Sequence, residues 1–255
     1  MGQSFLTKAV SSLNQMNQSM RVFLLVWFGQ LISITGSGLT GFALGVWVYQ
    51  NTNSVTHLTL IYVLTLLPSI LISPVAGVVV DRWSRRWVMI LSDTGAALST
   101  LAIAVLYFTE TLEIWHIYLL VTISSFFSAF QWPAYTAAIT MLVPKEQLGR
   151  ANGLLELGDG IAQIIAPVLG AVLLVTIQLP GVILIDFAAF IFAVTTLLLV
   201  RFPELKTTIV EKARKEPWLR DIAVGWHYLT EQQGLLDLLI LFFFNYFVVG
   251  IGMIC

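Results

Sequence analysis

The sequence predicts an all-α membrane protein: a six-helix bundle of two inverted three-helix repeats, followed by a seventh helix. Hydrophobic residues make up 58% of the chain and charged residues 11%, with a mean hydropathy of +0.87. A soluble domain carries about 25% charged residues. Apolar runs recur that are long enough to cross a hydrocarbon core, which takes ~20 helical residues, and such runs exclude a β-barrel, whose strands are short and alternating. The cations are confined to alternate connections between the runs.

In chain order, residues 1–20 are polar apart from scattered apolar positions and lack the apolar core and cleavage site of a signal peptide. They read as a retained cytosolic tail. Six spans follow at about 22–49, 57–80, 87–108, 116–143, 151–178 and 181–200, which together make a six-helix unit over 21–200. The segment 201–234 is charged at first and then carries Trp218, Ile222, Trp226 and Leu229 on one apolar stripe. That pattern suits either a helix lying on the inner membrane face or a simple linker helix. A seventh span occupies 235–255, where the chain stops inside the helix.

Orientation follows from where the thirteen Lys and Arg residues fall. Lys8 and Arg21 lie in the tail, Arg82, Arg85 and Arg86 after span two, Lys145 and Arg150 after span four, and the other six between Arg201 and Arg220. The loops near 50–56, 109–115 and 178–181 hold no cation, only Glu110 and Glu113. Under the positive-inside rule the tail and the even-numbered loops face the cytosol.

The densest cluster is AGVVVDRWSRRWVMI at 76–90, where Asp81, Arg82, Arg85 and Arg86 fall within six positions. Asp81, placed at the start of span three, would favour the helix dipole and pair with Arg85 at i, i+4. A topology determinant is the plainest role for this cluster.

The chain also repeats itself at an offset of 93. Pro74-Val75-x-Gly77 aligns with Pro167-Val168-x-Gly170, and Ile90-Leu91-x-Asp93 with Ile183-Leu184-x-Asp186; eight of the 23 pairs from Pro74 to Ala96 are identical. The offset carries span two onto span five and span three onto span six, giving repeats of about 21–108 and 114–200. Three spans separate the copies, so they are inverted, as in secondary transporters.

Polar residues lie on helical stripes inside the spans. Span five carries Asn152, Glu156, Asp159 and Gln163 at spacings of four, three and four, on one face. Asp159 lies ~13 Å along the helix from Arg150. A carboxylate at that depth belongs against a cavity or a partner helix. Span one offers Gln30, Ser33, Ser37 and Thr40, and span four Ser124, Ser128, Gln131 and Tyr135. These stripes read as lining a shared polar path, or as interhelical glue. Asp93 and Asp186, each within about two turns of a span's end, read as structural.

Gly41-x-x-x-Gly45 and the series Ala162, Ala166 and Gly170 are small-residue faces suited to close helix packing. Pro133 and Pro167 lie inside spans, where a missing N–H kinks a helix.

The sequence offers no Walker loop, HExxH or GxSxG, and His57, His116 and His227 are scattered. No enzyme, cofactor or metal site is expected. The single cysteine, Cys255, makes no internal disulfide or Cys cluster. A formal net charge of −1 gives no reason to expect a nucleic-acid partner.

The residues resemble the major facilitator superfamily, in its drug and siderophore exporter branch, over 20–255. Gly77-Val-Val-Val-Asp81-Arg82-Trp-Ser84-Arg85-Arg86 is similar to that family's G-x-x-x-D-R-x-G-R-R loop between helices two and three, with Ser84 for the second glycine. Similarity extends to Gly29-Gln30 with Ser33, to Pro133-Ala134 followed by Leu142-Val143-Pro144 and Leu148, and to Ala166-Pro167-x-x-Gly170, which resembles the exporters' G-P-x-x-G. The resemblance implies the N-terminal half of a twelve-helix fold, with a missing C-terminal half expected. It places Gly77, Asp81, Arg82, Arg85 and Arg86 in an inner gate that holds the two halves together in the outward-open state.

The family's membrane arginine in helix four has no counterpart, since no Lys or Arg lies between Arg86 and Lys145. Its place is near Ser124. Proton coupling then falls to Asp159, with Glu156 second. The expected partners are the lipid bilayer, a small-molecule substrate and the proton. The expected activity is export by alternating access in the plasma (inner) membrane. A lysophospholipid-type transporter of the same fold and a truncated, non-transporting membrane protein are the alternatives.

Overall fold

The computed structural model describes residues 2–200, 202, 234–238, 240–241 and 244–245, with side chains from residue 19 on. Its elements are α1 (Gly2–Thr52), α2 (Val55–Arg82), α3 (Arg85–Phe108), α4 (Ile114–Leu142), a 3-10 turn (Lys145–Gln147) and α5 (Leu148–Leu199). The described residues hold no strand. The first six spans predicted from the apolar runs are helical.

At ~1.5 Å per residue, the 28 residues of α2 and 29 of α4 exceed the ~30 Å hydrocarbon core. The 52 residues of α5 are long enough to cross twice. That helix breaks at Gln178, where φ is 59° and ψ 178°. Pro180 then lies in the first turn of the helix that restarts at Leu179, where its missing N–H costs no hydrogen bond. We call 148–177 the first arm of α5 and 179–199 the second. They are the fifth and sixth spans.

Helix α1 runs back to Gly2, so most of the expected tail continues the first span. Between Gln3 and Phe28 there is neither Gly nor Pro to stop it. Pro133 and Pro167 are accommodated within continuous helices. Residues 234–238 are helical, at the start of the expected seventh span. The amphipathic stripe Trp218 to Leu229 and residues 246–255 lie outside the described residues.

The two triplets interlock. Helix α1 packs chiefly against α5, and α4 packs chiefly against α2 and α3. The first helix of each triplet is thus gripped by the second and third of the other, which is the exchange an inverted repeat produces. Trp27 donates from Nε1 to the Leu154 carbonyl at 2.8 Å in the first arm. Gly170 meets Phe42, and a Cβ on Gly38 would lie 2.7 Å from Cβ of Ala166. The buried series Ala162, Ala166 and Gly170 therefore packs on α1 as its spacing predicts.

The second arm is held just as closely: a Cβ on Gly29 would collide with Oγ1 of Thr196, and one on Gly36 would lie 3.1 Å from Cα of Asp186. Gly41 is different from expectation, since nothing lies within 4 Å of the place its Cβ would take, and Gly45 meets only side-chain atoms of Leu58 and Tyr62. The close approach on α1 is made by Gly29 and Gly36, about three turns and one and a half turns nearer the chain start than Gly41. Lacking a side chain to fill the space, Gly41 opens onto a cavity instead.

Two apolar clusters lie at opposite ends of the bundle. One, at the end bearing Arg82, Arg85, Arg86, Lys145 and Arg150, contains Phe23, Val26, Met89, Tyr135, Ile139 and Leu197. The other contains Leu44, Val48, Ile61, Ile103, Ile117, Leu179 and Ile183. Polar side chains fill the layer between.

Candidate functional site

Helices α1 and α4 make little contact with each other, because each is engaged by the opposite triplet. The cleft left between them has a volume of about 380 Å³ and is bounded by α2, α3 and the second arm of α5. It lies in the polar layer between the two apolar clusters.

Sequence periodicity brings all four α1 stripe residues, Thr40 included, into it. Gln30, Ser33 and Ser37 line the cleft, with Gln30 1% and Ser33 7% exposed. Ser124, Ser128 and Gln131 line it from α4. Gln131 donates from Nε2 to Oε1 of Gln30 at 2.7 Å, joining the two helices across the cleft. Gln30 in turn points Nε2 at Oδ2 of Asp93 on α3, at 3.4 Å. Ser37 donates to Oδ1 of Asp186 on the second arm at 3.2 Å. Helix α2 contributes Thr65 and Ser69; Ser69 and Ser125 share a 2.9 Å hydroxyl contact, and Ser125 also donates to the Thr65 carbonyl.

Both membrane aspartates therefore face the cleft, one through each repeat. Asp93 lies ~12 Å along α3 from Arg85, and Asp186 ~10 Å from the break that starts the second arm. Because the two helices enter from opposite ends, both carboxyls reach the middle layer. The sequence marks them only as matched positions in the repeat; what they face depends on how the triplets interlock.

Tyr135 does not line the cleft. It is 3% exposed within the apolar cluster at the basic end, its hydroxyl without a hydrogen-bond partner. Asp159, Glu156 and Gln163 also lie outside the cleft. Glu156 and Gln163 are exposed on the bundle surface, and half-buried Asp159 accepts a 2.7 Å hydrogen bond from Gln163. The reason is rotational: the neighbouring face, Ala151, Leu155, Gly158, Ala162 and Ala166, is the one that α1 covers. Ala166 and Gly170 are buried there, with Pro167 half-buried beside them.

The basic cluster is built around the break between α2 and α3. Trp83 and Ser84 are extended, ending α2 at Arg82 and starting α3 at Arg85. Asp81 is thus in the last turn of α2, where the dipole is unfavourable to a carboxylate, and not at the start of α3. The expected pair nevertheless forms across the break, with Arg85 Nη2 3.9 Å from Asp81 Oδ1. Arg85 is largely buried at 14% side-chain exposure, and its Nε and Nη1 have no acceptor. Arg86 donates from Nη2 to the Leu198 carbonyl at 2.7 Å, satisfying an end carbonyl of α5. Gly77, one turn before Asp81, has nothing within 4 Å of a would-be Cβ.

Among the described residues, no group of three or more His, Cys, Asp and Glu is placed to hold a metal ion.

The sequence profile of the Major Facilitator Superfamily matches residues 26–254. Macrolide efflux protein A of Streptococcus pyogenes is 29% identical over 218 residues, covering 86% of this chain and 53% of that protein. The macrolide efflux protein A of Enterococcus faecalis is 30% identical over 174 residues, 68% of this chain and 53% of the relative. The enterobactin exporter EntS of Citrobacter koseri is 30% identical over 154 residues, covering 60% of this chain and 37% of the exporter. The chain spans about half the length of the macrolide efflux relatives it matches. With a helical bundle of membrane-spanning length and a match to nearly its whole sequence, the chain belongs to the Major Facilitator Superfamily.

Proposed function

We propose that the chain forms the N-terminal half of a secondary active exporter that moves a small amphipathic compound, such as a drug or siderophore, across the plasma (inner) membrane by alternating access. The observation that carries this reading is the polar cleft between α1 and α4. It lies at mid-bundle depth between two apolar clusters and draws its walls from both repeats, where transporters of this design place their sites. The efflux activity named for the macrolide and enterobactin relatives supports export as the direction.

A second half is part of the proposal. Asn152, Glu156 and Gln163 are exposed on the first arm of α5, and polar groups at that depth need protein or water, not lipid, against them. A partner half covering this stripe would satisfy them. The free Nε and Nη1 of buried Arg85 suit acceptors supplied by the same half. Asp81, Arg82, Arg85 and Arg86 would then act as an inner gate on the cytosolic side, with the N-terminus also cytosolic by the distribution of cations. Protons are the proposed driving ion.

The test is accumulation of a labelled macrolide and of enterobactin in cells lacking their own exporters, with and without the full-length gene product. Energy-dependent lowering of either supports the reading. If both are unchanged while lysophospholipid is translocated, the lipid-handling alternative holds. Unchanged levels of all three would leave a non-transporting membrane protein.

A further inference from the structure

We propose that Asp93 and Asp186 act together as the proton-carrying pair of this transporter, one carboxyl from each inverted repeat, facing a common cleft. The inference rests on the transport reading above and assigns its coupling site.

Four observations carry it. The two residues are identical partners at the 93-residue offset, yet they enter the membrane layer from opposite ends and line the same cleft. Asp186 is 5% exposed, and the accessible surface of half-buried Asp93 opens on the cleft.

The titratable groups lining the cleft are Asp93 on α3, Asp186 on the second arm and Tyr62 on α2; α1 and α4 present only Gln30, Ser37, Thr40, Gln131 and similar neutral groups. Among the described residues, no Lys, Arg or His lines it. Two carboxylates without a cation in a membrane interior are costly unless neutralised, and the group that can neutralise them here is a proton.

The buried Oε1 of Gln131, in the same cleft, is an acceptor with no hydrogen-bond partner, and a proton on a carboxyl oxygen is a donor that the ionised pair does not offer. Gln30 links Asp93 to Gln131 on α4, so a change in the charge of Asp93 is felt by the two helices whose separation defines the cleft.

The step is a simple exchange. A carboxylate oxygen forms an O–H bond with a proton released by water on one side, and the same bond breaks when the cleft opens to water on the other. No electrons are transferred.

The test uses the full-length protein with Asp93→Asn, Asp186→Asn, the double substitution, and Asp93→Glu and Asp186→Glu as conservative controls. Infrared difference spectra of the purified proteins, recorded across a pH titration, read the C=O band of a protonated carboxylic acid without requiring any substrate. The expected result is a titrating band in the wild type that is diminished in each Asn variant and absent from the double variant. In liposomes under an imposed pH gradient, the Asn variants should lose gradient-driven uptake while keeping downhill exchange, and the Glu variants should recover it.

A band that persists unchanged in the double variant would overturn the assignment. So would undiminished gradient-driven uptake by both Asn variants, or uptake driven by a Na⁺ gradient at constant pH. Loss of coupling in Asp159→Asn alone would return the role to Asp159. If the wild type shows the band but moves no tested compound, the pair binds protons and the export reading is what fails.

Discussion

Arg86 donates from Nη2 to the carbonyl oxygen of Leu198 at 2.7 Å, fastening the start of α3 to the last turn of α5. One repeat is thereby tied to the end of the other at the basic end of the bundle. The contact is specific to a side chain within the DRWSRR cluster, so its members have separable tasks.

Arg86→Ala should lower the stability of the folded bundle by about 1 kcal/mol, the usual net worth of a hydrogen bond whose partner can return to water. Arg86→Lys should recover part of that loss, since lysine also donates to end carbonyls of a helix. Thermal unfolding of the three proteins in detergent reads the difference. Equal stability of the Ala variant and wild type would show that the contact contributes nothing.

Asp81→Asn and Arg85→Ala should leave membrane insertion intact and strongly reduce export in the full-length protein. Orientation is retained because the other cations remain, whereas the 3.9 Å pair across the helix break is lost. Unchanged export at equal abundance would reduce the pair to a topology signal.

Gly36→Ala and Gly41→Ala should act with opposite sign. The added methyl at position 36 meets Cβ of Ala189 at 3.0 Å and Cα of Asp186 at 3.1 Å, and such overpacking costs ~1–3 kcal/mol. At position 41 nothing lies within 4 Å, and alanine gains helix propensity of up to ~1 kcal/mol over glycine. Melting temperatures that move the same way in both would contradict the packing of α1 on the second arm.

Orientation can be read in intact cells on a Cys255→Ser background. The exposed Thr111→Cys should react with an impermeant thiol reagent added outside, and the exposed Ser84→Cys should not. Reversed labelling would invert the topology.

The spans and the family were legible in the sequence because crossing a membrane is a local requirement: ~20 apolar residues in a row satisfy it whatever surrounds them. Even the restart of the helix after Gln178 agrees with Pro180 in its first turn. Periodicity likewise set Gln30, Ser33 and Ser37 on one face of α1. It could not say which faces of different helices meet. The stripe Glu156, Asp159 and Gln163 is as regular as that of α1, yet it turns outward because the adjacent face of α5 carries the small residues that α1 covers. Asp93 and Asp186 each lie near the start of a span, on opposite sides of the membrane and 93 positions apart, and only the interlocking of the two triplets brings them to one cleft. The periodicity of a helix fixes angles about its own axis, whereas a site depends on the rotation and crossing of several axes, which packing between helices decides.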